Sequence, residues 1–92
     1  MMLTRVVNLH KAHADVYVGR PSIFGNPFHV EPGVDRLQVI ERYRLYFLDR
    51  VEKDPEFRAA AEELRGKALG CHCKPKPCHA DVIAAWCNGE LP

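Results

Sequence analysis

The stretch ALGCHCKPKPCHADVIAAW, Ala68 to Trp86, decides the architecture, because it reads as a strand, a proline-broken turn and a helix in immediate succession. The run KALGCHC is short and apolar enough for a strand, and Pro75 and Pro77 break regular structure just after it. From about His79 to Asn88 the apolar positions Val82, Ile83 and Trp86 then share one helical face, with Gly89 closing the helix. A strand delivered straight into a helix is the building unit of α/β folds. The same stretch holds three of the four cysteines and two of the five histidines within nine positions, so it also poses the chemical question.

Working toward the N-terminus, a second helix is punctuated at both ends. Asp54 stands as N-cap, Pro55 at the first helical position, Phe57, Ala60, Ala61 and Leu64 form a stripe, and Gly66 lies just past the end. Before it, Leu37, Ile40, Tyr43 or Arg44, Phe47, Leu48 and Val51 recur at helical spacing, and Asp35 with Gln38 makes a capping box at the start. TRVVNL (4–9) and DVYVG (15–19) are rich in β-branched and aromatic residues and end at turn formers, so both are predicted strands. The order is β-β-α-α-β-α. It predicts an α/β fold, a single domain over residues 1–92 with a small sheet of about three strands and helices packed on it; a Rossmann-like topology is one form this order allows. A helical crossover returns the chain in parallel, which places the third strand beside the first or second.

Composition narrows the function classes. Ninety-two residues bury only roughly 60–65% of the unfolded surface, so the core is modest. Apolar residues make up 47% and charged residues 27%, the balance of an ordinary globular chain. Thirteen basic and twelve acidic residues leave a net charge of +1, which argues against a broad nucleic-acid surface and leaves room for a local anion site. No apolar run is long enough for a signal sequence or a membrane span, so a cytoplasmic protein is expected. In reducing cytosol, clustered thiols serve metal, redox or catalytic chemistry more often than disulfides.

The two unusual segments each come directly after a strand. In open α/β sheets ligands sit at the carboxyl ends of strands, so GRPSIFGNPF (19–28) and CHCKPKPCHAD (71–81) are expected to form one crevice. On the first, Gly19 and Gly25 permit close backbone approach, Arg20 is a fork for phosphate or carboxylate, Ser22 and Asn26 add neutral donors, and Phe24 offers a stacking face. Asn8 and His10, at the end of the first strand, are within reach of the same crevice, while His13 and His29 read as solvated loop residues.

The second segment supports three readings. Cys78, His79 and Asp81 lie at a predicted helix N-terminus, where a thiolate is favoured and a neighbouring imidazole and carboxylate supply acid–base partners; this makes them the candidate catalytic set. Alternatively Cys71, Cys73, Cys78 and either His72 or His79 form a tetrahedral donor set for zinc or iron, although the spacing departs from the usual paired knuckles. In the plainest reading Cys71 and Cys73 are core residues of a strand and Asp81 is a first-turn carboxylate. Cys87, beside Trp86 on the last helix, reads as packing.

With VVN (6–8), DVYVGRPSIFGNPF (15–28), VIERYR (39–44) and LRGKALGCHCKPKPCHADVI (64–83) in this order, the chain resembles a family of bacterial and phage proteins known as domain of unknown function 4326. The resemblance implies no activity. It implies that positions 72 and 80, often aromatic and glycine in that family, carry no family-wide role, which leaves Cys71, Cys73, Cys78, His79 and Asp81 as the stronger site residues. Three functions are therefore expected in competition: a domain binding a nucleotide-like or other small anionic ligand, with Cys/His/Asp chemistry at hand; a metal-stabilised binding module; or a small phage-type adaptor or inhibitor of a host protein. An oligomer is compatible with any of them.

Overall fold

The computed structural model describes residues 3–28, 32–72 and 76–91. Three strands, β1 (Arg5–Asn8), β2 (Val16–Tyr17) and β3 (Ala68–Cys71), and three helices, α1 (Arg36–Lys53), α2 (Pro55–Glu62) and α3 (His79–Cys87), occur in the predicted order. The sheet runs β1-β3-β2 and both pairings are parallel, so β3 lies beside both earlier strands. Being central, β3 is buried at every residue, which is why ALGC carries only small or apolar side chains.

β1 and β2 run parallel on either side of β3 yet are joined by a short segment, which is unusual because parallel strands need long crossover connections. The register explains it. Asn8 at the end of β1 lies level with Cys71, and Val16 at the start of β2 lies level with Leu69, so the chain steps back only two residues while crossing β3. It crosses directly over Gly70, where a Cβ would stand 2.5 Å from Leu9 Cδ2 and 2.8 Å from Ala14 Cβ. The formal strands are shorter than predicted, but the ladder continues beyond them. Asp15 N–H donates to Ala68 O (2.9 Å), Ala68 N–H donates to the Asp15 carboxylate (2.8 Å), and Val18 N–H donates to Gly70 O (3.2 Å).

Helix α3 packs on the sheet, and α1 and α2 pack against it and each other. Both predicted caps form: Leu37 N–H donates to the Asp35 carboxylate while Asp35 N–H donates to Gln38 Oε1, and Phe57 N–H donates to Asp54 Oδ1 (3.1 Å). The buried stripe of α1 is Val39, Tyr43, Phe47 and Val51, an unbroken i, i+4 line. Leu37 was expected on that face and is instead 59% exposed, because it lies in the first turn and off the line that meets α2 and α3. Phe47 is the centre of the core, edge-on to both Phe57 and Trp86 at 5.6 Å between ring centroids. Cys87 is buried with its thiol toward Ala61 O, and burial raises its pKa, as a packing cysteine should show.

The chain ends are stitched by one asparagine. Thr4 N–H donates to Asn88 Oδ1 and Asn88 Nδ2 donates to Thr4 O, both at 2.9 Å, while Gly66 N–H donates to the buried Thr4 hydroxyl (2.8 Å). Among the described residues no helix is long and apolar enough to cross a membrane.

Candidate functional site

Beyond β2 the chain enters the glycine-proline loop, and local polar contacts give that loop its shape. Ser22 N–H donates to Gly19 O and Gly25 N–H to Ser22 O, forming successive turns, and Phe24 N–H donates to Ser22 Oγ (3.2 Å). Phe28 N–H donates to Asn26 Oδ1 (2.9 Å), and the Tyr17 hydroxyl donates to Arg20 O (2.7 Å). Gly25 faces Arg20 so closely that a Cβ would stand 2.9 Å from its Cγ and 3.0 Å from its Cα. The loop is tied down by the buried Tyr43 hydroxyl, which donates to Phe24 O (2.7 Å). That burial drives the Tyr43 pKa far upward, so the phenol stays a donor.

Beyond β3 the chain passes His72, and from Lys76 it leads into the start of α3. Cys78 is the N-cap, 2% exposed, and its N–H donates to Asp81 Oδ2 (3.0 Å). His79 Nε2 lies 2.8 Å from Val18 O. A carbonyl only accepts, so Nε2 carries the hydrogen and Nδ1 of the neutral ring is an acceptor, 3.5 Å from Cys78 Sγ. Burial lowers the His79 pKa, the bond to Val18 opposes that shift, and the Arg20 charge adds to it. The ring edge also meets Tyr43 at 5.0 Å. The imidazole is thus held neutral, locked in one tautomer, with its lone pair toward a buried thiol.

These two segments and the first turns of α1 enclose a cleft of about 280 Å³. Its polar walls come from Arg20, Asn26, Arg36, His72, Cys78 and His79, and its apolar walls from Phe28, Val39, Ile40 and Pro77, with Tyr17, Gly19 and Cys71 completing it. The two segments predicted to meet do line one crevice.

Of the expected site residues, Gly19, Arg20, Asn26, Cys71, Cys78 and His79 line the cleft. Asn8, Ser22, Phe24, Gly25 and Asp81 are not part of its lining. Phe24, expected as a stacking face, is a core residue against Phe57 (5.4 Å), because a loop this apolar buries its own ring; Phe28 is the aromatic face that the loop gives the cleft. Ser22 and Gly25 shape the loop through their turn and their close contact with Arg20. Asn8 holds the next turn, its Oδ1 accepting from His10 N–H (2.8 Å). His13 is exposed, in keeping with a solvated loop residue, and His29 lies outside the described residues. Asp81 caps α3 and does not line the cleft. As for the metal set, Cys71, Cys78 and His79 share the cleft, but among the described residues no three His, Cys, Asp or Glu side chains converge to hold a metal ion; Cys73 lies outside those residues.

The wall supplied by α1 was not anticipated. One signal for it was present: Arg36 comes directly after the Asp35 cap, in a first turn that contains no acidic residue. The helix dipole disfavours a cation there by about 0.3–1 kcal/mol, so an arginine at that position is a residue whose reason lies elsewhere.

A small parallel α/β domain with a cleft at the carboxyl ends of its strands is the class that fold and site define. The chain belongs to the family described as "Domain of unknown function (DUF4326)", whose model matches residues 2–89. It is similar to the "Uncharacterized 12.4 kDa protein in nrdA-td intergenic region" of Enterobacteria phage T4, at 43% identity over 86 residues that cover 94% of this chain and 79% of that protein. No solved structure matches the chain.

Proposed function

We propose that the cleft binds a small anionic, nucleotide-like ligand and presents it to the Cys78–His79 pair. The observation that carries this reading is the sign of the lining: among the described residues it has two arginines and an asparagine, and no carboxylate. The Asn26 oxygen is committed to Phe28 N–H, so the amide offers its NH2 group, a third donor. A cleft furnished with donors suits a ligand furnished with acceptors, and guanidinium forks favour phosphate or carboxylate. Arg36 strengthens the case, since its position is unfavourable for the helix and favourable for an anion in the cleft.

Size and wall chemistry narrow the ligand further. Small-molecule pockets span roughly 300–1,000 Å³, and a cleft of about 280 Å³ stands at the lower end, suiting a mononucleotide or a smaller phosphorylated compound. Phe28 and Tyr17 offer flat faces for a planar ring. For chemistry, the neutral His79 Nδ1 is placed to take the Cys78 thiol proton, which would generate a thiolate beside the bound ligand.

The test is a thermal-shift and calorimetric panel of inorganic phosphate, nucleoside monophosphates and unphosphorylated nucleosides. Phosphate-bearing compounds are expected to raise Tm, by an amount corresponding to about 2.7 kcal/mol at a hundredfold excess over Kd. Arg20→Ala and Arg36→Ala are each expected to weaken binding at least tenfold, roughly the worth of one charge-assisted hydrogen bond. Equal response to charged and uncharged compounds, or undiminished binding by the double variant, would overturn the reading.

A further inference from the structure

A second feature lies at the rim of the sheet, built from residues 62 positions apart. His72 Nδ1 and His10 Nε2 face each other at 3.2 Å, with ring centroids 5.2 Å apart. We propose that His10 and His72 form a two-nitrogen seat for a first-row divalent metal ion such as zinc, nickel or cobalt.

Geometry carries the argument. Two imidazole nitrogens on one ion, each at about 2.0–2.1 Å, are separated by roughly 2.9 Å at a right angle and roughly 3.4 Å at the tetrahedral angle. The observed 3.2 Å falls between these limits, so the donor spacing suits one ion once each ring turns to aim its lone pair at it. The backbone prepares this spacing. Leu9 N–H donates to Cys71 O (3.1 Å), tying together the residues that immediately precede the two histidines, and β1 and β3 are in parallel register up to Asn8 and Cys71. On the β1 side, Asn8 accepts from His10, Lys11 and Ala12 N–H groups and fixes the turn that carries His10. On the β3 side, the Tyr17 ring stands edge-on to His72 at 5.8 Å and limits its rotation, while the Tyr17 hydroxyl is engaged with Arg20 O and is not offered as a ligand.

Chemistry fits the same placement. Imidazole is the commonest side-chain ligand for zinc, copper and nickel, and both rings are exposed, so an ion has access. In the metal-free pair one facing nitrogen carries a hydrogen and donates to the other. On binding, that hydrogen transfers to the other nitrogen of its ring, both facing lone pairs point at the ion, and no net proton is released from the neutral pair. Two protein ligands leave the remaining coordination positions to water, so the seat is exchangeable and weaker than a four-ligand structural site. The seat shares His72 with the cleft wall but uses neither arginine, so its metal uptake is read separately from anion binding.

The experiment uses tag-free full-length protein in a non-coordinating buffer, titrated calorimetrically with zinc and spectroscopically with cobalt. The wild type should take up one equivalent with micromolar affinity, and His10→Ala and His72→Ala should each weaken it at least tenfold. The cobalt spectrum should lack thiolate-to-metal charge transfer, and His13→Ala, at an exposed histidine outside the cleft lining, should bind metal normally. Both histidines are exposed, so the variants should retain the wild-type circular dichroism; a His72→Gln variant gives the same comparison if His72→Ala loses fold. Three results would overturn the proposal: no uptake by the wild type, unchanged uptake by both histidine variants, or a strong thiolate band that persists in them and places the metal on the cysteines.

Discussion

His79 shows how much chemistry one residue takes from its surroundings. The ring donates to Val18 O, faces Cys78 with its bare nitrogen and is kept neutral by burial. Because its folded pKa is depressed, the unfolded chain binds a proton more readily in acid. Its contribution to stability is therefore full above the unfolded value of about 6.5 and declines as pH falls toward the folded pKa. Thermal melts across that window should show a steeper acid loss of Tm for the wild type than for His79→Gln, whose amide still donates to Val18 O. Parallel slopes would remove His79 from the account. At Gly25, a methyl group would press on the Arg20 backbone, so Gly25→Ala should cost about 1–3 kcal/mol in a urea melt and weaken anion binding by displacing Arg20.

At the scale of elements, helix ends do most of the positioning. The first turn of α1 places Arg36 against its own dipole at the cleft wall. Replacing it with glutamate should therefore move two measurements in opposite directions: stability of the free protein rises by about 0.3–1 kcal/mol, while binding of phosphate compounds is lost. A loss of both would mean that Arg36 is structural. At the other end of the molecule, Asn88 joins the C-terminal end of α3 to Thr4 through two hydrogen bonds. Asn88→Ala leaves both Thr4 backbone groups without their partner and should lower denaturation free energy by about 1–3 kcal/mol without changing the cleft.

For the whole molecule, a chain of 92 residues has little stability to spare, on the order of 5–15 kcal/mol. Its core depends on one aromatic junction, where Phe47 meets Phe57 and Trp86. Phe47→Ala should cost about 3–5 kcal/mol and leave a substantial unfolded fraction at growth temperature, measured as a lowered urea midpoint. The cleft lies where β2, β3, α1 and α3 come together, so loss of that junction should abolish ligand binding along with the fold.

Much of this molecule was legible in its sequence. Element order, the Asp35 and Asp54 caps, the Pro55 start and the inward face of Val82, Ile83 and Trp86 result from local chemistry, because capping and periodicity involve residues within one turn of each other. The convergence of the two loaded segments was legible too, since both come after parallel strands and must emerge at the same edge of the sheet. Contacts between distant positions were settled only by folding. Whether Phe24 or Phe28 faces the cleft depends on Tyr43 and Phe57 claiming the first of them. That Arg36 forms a wall depends on where α1 packs, and that His10 meets His72 depends on a register between β1 and β3 set by side chains far apart in the chain. Local preference chooses each element; the burial of apolar surface between elements chooses which side chains are left to face one another.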